Sequence, residues 1–173
     1  GAASRVEALL LIVMMALSSV LAPFISQNCG AGNPARAKAA LQFCMRFALL
    51  FQLAVYGLTW LLAPFIAELF SSHPQVVRLI VLYLHLVPIG YGFQGMVMLL
   101  ASALNGVRAS SVSFLFNGLR LFVFLLPGAW LGAKLGGEQG IYLGILVANL
   151  AAGTLAWWYA RHRFEQLCHQ GRP

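Results

Sequence analysis

Residues 8–35 carry no formal charge. As a helix, such a stretch is long enough to cross the ~30 Å hydrocarbon core of a bilayer, which takes about 20 apolar residues. Its far end holds Pro23, glycines at 30 and 32, Asn33-Pro34 and then Arg36. An apolar run closed by glycines, a fresh helix start at Asn-Pro and cations beyond is the pattern of a transmembrane hairpin turning at the cytoplasmic face. This one segment already excludes most water-soluble folds.

Composition carries the same conclusion to the whole chain. Of 173 residues, 61% are apolar and 9% charged, against about 45–50% and about 25% in soluble domains. The chain is therefore an integral membrane protein, with the lipid bilayer as its first partner. The net charge of +7 is spread thinly between apolar runs. Without a basic stripe interleaved with aromatics, nucleic acid is not an expected partner. The sequence opens on Gly1, with the first helix beginning almost at once, and reads as a fragment of a longer protein.

Five segments are long and apolar enough to span: 6–27, 45–67, 77–105, 112–133 and 140–160. They lack the polar face of soluble amphipathic helices. They also lack the period-two alternation of barrel strands. The predicted fold class is all-α, a polytopic membrane helix bundle, with a tail over 161–173. Asn33 is expected to cap the second helix with Pro34 at its first position, and His73-Pro74 to do the same for the third. Short loops make consecutive helices antiparallel neighbours. Arg36, Lys38, Arg46, Arg108, Arg161, Arg163 and Arg172 fall on one side, and Arg5, Arg78 and Lys134 on the other. The positive-inside rule makes the richer side cytoplasmic, and with it the C-terminus. Cys29, Cys44 and Cys168 lie on or near that side, where thiols are expected to stay reduced. Their spacing gives no metal-site motif.

Charged and polar groups are few enough to weigh singly. Glu7 stands a turn inside the first span, as an interfacial charge or as a polar group facing a cavity. Arg120 is the one formal charge well inside a span; at about +2.5–3.5 kcal/mol on insertion scales, it should face protein or water. Pro88 interrupts the third span before Gly90-Tyr91-Gly92-Phe93-Gln94-Gly95. Broken helices often mark transporter sites, so Tyr91 and Gln94, three residues apart on one face, are site candidates. Asn117 is a further cavity candidate, although single asparagines such as Asn117 and Asn149 also serve as interhelical hydrogen-bond groups. Pro127 should kink the fourth span. Trp60, Trp130, Trp157 and Trp158 read as interfacial anchors. No phosphate loop, nucleophile elbow or His-Glu-x-x-His occurs, so an enzyme is not expected.

Several ordered pieces resemble the multidrug and toxic compound extrusion (MATE) transporters. They are Ser4-Arg5-Val6-Glu7, the Pro23 to Gly32 run with Arg36, Ala103-Leu104-Asn105-Gly106, Leu126-Pro127-Gly128-Ala129-Trp130 with Leu131-Gly132, and Gly140-Ile141-Tyr142-Leu143-Gly144. The resemblance implies twelve helices in two lobes, of which these five spans would be helices eight to twelve. It implies a bacterial-type plasma (inner) membrane antiporter. Amphipathic or cationic drugs or metabolites would be its substrates, exported against sodium or proton influx, with the N-terminal lobe as the missing partner. In helix ten, the position where some members carry a coupling acid aligns with Gln94. The coupling ion, Na+ or H+, is therefore expected to bind outside this fragment, and no other cofactor is implied. The alternatives are a lipid-linked oligosaccharide flippase of related architecture and a noncatalytic membrane scaffold subunit.

Overall fold

The computed structural model describes residues 2–170, the side chains of residues 2–4, 6 and 10 apart, and every regular element in that range is helical. Helix α1 runs Ala2–Gly30 and α2 Pro34–Phe70. Helix α3, Pro74–Leu86, passes through a 3-10 turn at Pro88–Gly90 into α4, Tyr91–Gly106. Helix α5, Ser110–Gly118, passes through a π-helical stretch at Leu119–Leu125 into α6, Leu126–His162. A short α7 covers Phe164–Gln170.

Four stretches are long and apolar enough to cross a membrane: Leu11–Gly30, Pro34–Phe70, Pro74–Gly106 and Ser110–His162. The last has 53 residues, about 80 Å of helix at ~1.5 Å per residue and far more than one ~30 Å crossing. It does not run straight. Gly136 and Gly137 leave the helical region, Gly137 with φ 60°, and the two arms of α6 fold back on one another. Glycines make that return possible. A Cβ built on Gly132 or Gly140 would run into the other's carbonyl oxygen, and Gly128 and Gly144 are opposed in the same way. Two backbones in contact are the small-residue packing that membrane helices use in place of a hydrophobic driving force. The stretch is thus two antiparallel passes.

Helix α4 is the centre of the bundle, packed against α1, α2, α5 and α6. Its Val97, Leu99, Leu100, Ala103 and Leu104 are buried. Gly106, at its end, faces the Ala22 carbonyl so closely that a Cβ would sit 2.5 Å from the oxygen. The left-handed residue of the following turn is Arg108, φ 60°. The outer helices show the reverse pattern, with Leu61, Leu69, Phe114 and Leu135 exposed at 70%, 71%, 81% and 87%. Apolar surface of that extent needs a lipid partner.

Two local expectations change. Asn33 and His73 occupy the N-cap positions before Pro34 and Pro74, but neither side chain makes a capping hydrogen bond. The Asn33 carbonyl accepts the first intrahelical bond, from Ala37 N–H at 3.2 Å. Pro127 follows a π stretch at whose end the Leu126 N–H reaches back to the Leu121 carbonyl, a winding that differs from the regular α ladder in which a proline ring clashes with the carbonyl four residues back. Finally, Cys29 and Cys168 form a disulfide and only Cys44 is free among the described residues, so the expectation of three reduced thiols fails. Arg172, counted with the cation-rich side, lies outside the described residues.

Candidate functional site

The break between α3 and α4 creates the conditions for a site. Pro88 has no N–H and the 3-10 turn tightens the backbone, so the helical ladder is locally lost. The His85 carbonyl accepts from the Tyr56 hydroxyl at 2.8 Å, an outside donor for a group that the broken ladder leaves available. Gly90 lets Asn149 come close, with a Cβ there meeting the Asn149 Cβ at 3.2 Å. Pro88, Gly90, Tyr91, Gly92 and Gln94 are all buried.

Around this break polar groups from several elements meet. Gln94 Nε2 donates to Glu7 Oε1 at 3.5 Å, joining α4 to α1. Arg120 Nη1, on the π stretch, donates to Asn149 Oδ1 on α6 at 3.5 Å. The Tyr83 and Tyr91 hydroxyls share a hydrogen bond across the 3-10 turn, and Tyr142 of α6 sets its ring edge-on to Tyr83 at 5.5 Å. Glu7 lies near Arg120, Tyr83 and Tyr91, without a contact ion pair to Arg120. Both 3.5 Å contacts sit at the long end of hydrogen bonding. The cluster is therefore loosely held, with donor and acceptor capacity to spare on Arg120, Gln94 and Glu7.

Of the sequence candidates, Glu7, Tyr91, Gln94 and Arg120 come together. Asn117 does not join them. Its Nδ2 donates to the Ser113 carbonyl at 3.0 Å on its own helix, and its side chain borders a separate groove with Ser18, Ser19, Ser102 and Asn105. The buried Ser18 hydroxyl there has no partner among the described residues. Tyr83, Tyr142 and Asn149 are members that sequence reasoning missed as site residues. For Tyr83 there was a local signal, since it and Tyr91 stand on either side of Pro88, eight residues apart. The arrangement supplies a carboxylate, a guanidinium, two amides and three phenols, and among the described residues no group of three or more His, Cys, Asp or Glu that could hold a metal. It is equipped to bind polar groups of a small molecule. His85 stands apart, half-buried and stacked on Trp60 at 5.2 Å.

Comparison with known proteins gives this geometry its context. A family model described as MatE matches residues 1–131. The chain is 42% identical over 165 residues to an FAD transporter of Shewanella oneidensis, covering 95% of this chain and 36% of that protein. It is 25% identical to the probable multidrug resistance protein YpnP of Bacillus subtilis, over 94% of this chain and 36% of that one. The crystal structure of the Vibrio cholerae MATE transporter VcmN in its bent form superposes with a TM-score of 0.92 at 33% identity, covering 99% of this chain and 39% of that one. The chain thus spans little more than a third of the relatives it matches. It belongs to the MATE family of membrane transporters.

Proposed function

We propose that the full-length protein is a secondary antiporter of the inner membrane. It would export amphipathic small molecules against sodium or proton influx, with its C-terminus cytoplasmic. The observation that carries the reading is the cluster of Glu7, Gln94, Arg120 and Asn149, which brings an acid, a base and two amides from α1, α4, the π stretch and α6 to one place inside a lipid-facing bundle. A scaffold has no use for a charge inside a span that costs about 2.5–3.5 kcal/mol to insert; a binding surface does. In this reading the other half of the cavity is built by an N-terminal lobe of the full-length protein. For substrate, the mixed charge suits a molecule with both an aromatic body and ionic groups. Flavin dinucleotide is the first to test, because the 42%-identical relative is named an FAD transporter, and cationic drugs are the second.

The test is transport by the full-length protein in everted vesicles from a strain stripped of its own efflux pumps. Uptake of FAD or ethidium driven by an imposed sodium or proton gradient is the expected result. No gradient-dependent uptake of either would remove the support for antiport.

A further inference from the structure

The Cys29–Cys168 bond joins residues 139 positions apart, one in the last turn of α1 and the other in α7. Both are buried, at 6% and 2% exposed. Two further contacts hold α7 in place. Phe164 is fully buried, and the Glu165 carboxylate lies 3.6 Å from Lys38 Nζ near the start of α2. Ring, ion pair and disulfide make α7 a strap across the turn between α1 and α2. Arg36, Lys38, Arg161 and Arg163 lie at this same end. By the positive-inside rule it faces the cytoplasm. In that compartment disulfides are rare, and those that form are usually transient, catalytic or redox-sensing.

We infer that Cys29 and Cys168 form a reversible thiol–disulfide exchange site for small thiols and disulfides of the glutathione class, and that closing the bond locks α7 onto the α1–α2 turn. The inference rests on the cytoplasmic orientation proposed above. In opening, a small-molecule thiolate attacks one cysteine sulfur, the S–S bond breaks, and the other cysteine leaves as a thiolate that takes up a proton. A second small thiolate then attacks the mixed disulfide. It releases the remaining cysteine, also to be protonated, and departs as the small-molecule disulfide. Two electrons pass from the two small thiols to the cystine; closing is the reverse, with the small disulfide as oxidant. Because both sulfurs are buried, the reagent reaches them when α7 lifts. Phe164 and the Lys38–Glu165 pair therefore govern the rate. Closure ties the end of the first helix to the segment after the last, so that end of the lobe moves as one piece.

The experiment uses the purified full-length protein, with Cys29→Ser, Cys168→Ser and the double variant, incubated with glutathione disulfide or with dithiothreitol. Thiols are counted by mass-tagging with a polyethylene glycol maleimide, relative to the double variant. The wild type should carry no extra tag after glutathione disulfide and two after dithiothreitol. Amide hydrogen exchange over residues 164–170 should be ~10-fold faster in the reduced form, the mark of local opening. Two extra tags under both conditions would overturn the bond, and equal exchange in both forms would overturn the lock. The orientation has its own readout. An impermeant maleimide should tag Cys168 of the reduced Cys29→Ser protein in everted vesicles. Tagging in right-side-out vesicles instead would reverse the orientation and leave the bond itself untouched.

Discussion

Pro88 and Pro127 present the same problem to a helix, a missing N–H and a ring that clashes one turn back, and the molecule answers them in opposite ways. At Pro88 the backbone tightens into a 3-10 turn whose Pro88 and Gly90 are buried, with buried Tyr91, Gly92 and Gln94 following. Before Pro127 it loosens into a π stretch in which no residue is buried, and Phe122 is 70% exposed. The first break frees backbone groups in the interior, where outside side chains such as Tyr56 must serve them. The second faces lipid and sends one polar side chain, Arg120, toward Asn149. Sealed among neighbours, an interruption accumulates polar partners and becomes a site. At the rim, the same interruption is chiefly a means of aiming one residue.

The largest test of this contrast concerns what holds the exposed break in place. Gly140→Leu forces a side chain against the Gly132 carbonyl. Overpacking costs about 1–3 kcal/mol and occasionally more, and here the obstacle is backbone that a Cβ would run into, so the full-length variant should fail to give a monodisperse peak on detergent size exclusion. Next, Arg120→Ala should lower the initial transport rate by about tenfold with expression unchanged, since a charge-assisted hydrogen bond is worth about 1.5–3 kcal/mol and ~1.4 kcal/mol is a factor of ten. Gln94→Ala should lower it less, by about threefold, as expected for the loss of a neutral donor worth ~0.5–1.5 kcal/mol. Normal transport by both variants would sink the site assignment. Pro88→Ala and Pro127→Ala then sharpen the comparison directly. The first lets α3 run straight into α4 and displaces Tyr91 and Gln94, so transport should fall severalfold; the second should leave it nearly unchanged. Equal losses in the two would erase the distinction. The smallest effect is expected from Tyr83→Phe, which removes the bond to Tyr91 at a cost of about 1 kcal/mol, read as a modest drop in detergent melting temperature.

Much of this was legible in the sequence, for physical reasons that also explain what was not. Apolar runs and cation placement are local signals, and a bilayer turns them into helices and sides with few alternatives. Pro88 announced the buried break by itself. What joins the cluster is not local: Glu7 and Gln94 are 87 residues apart, and Arg120 and Asn149 are 29. Helix faces and rotations decide such meetings, and in a helix apolar all round no amphipathic stripe reveals which face looks inward. The same blindness made Asn117 a candidate for the site, whereas the structure turns it toward the groove of Ser18 and Ser102. It also hid the meeting of Cys29 with Cys168. Gln94, an amide with no charge of its own, is supplied with Glu7 from the side by α1.

The opposed glycines of the α6 hairpin carry a consequence for the gene. A glycine codon reaches, by any single-base missense change, only residues that bear a Cβ. At Gly128, Gly132, Gly140 and Gly144 that carbon collides with the facing backbone, which cannot swing aside as a side-chain tip would. Those four codons have no silent amino-acid neighbour, not even alanine. In a saturation library of the full-length protein they should be the emptiest positions of the hairpin, while Leu135, exposed between them at 87%, accepts any apolar replacement.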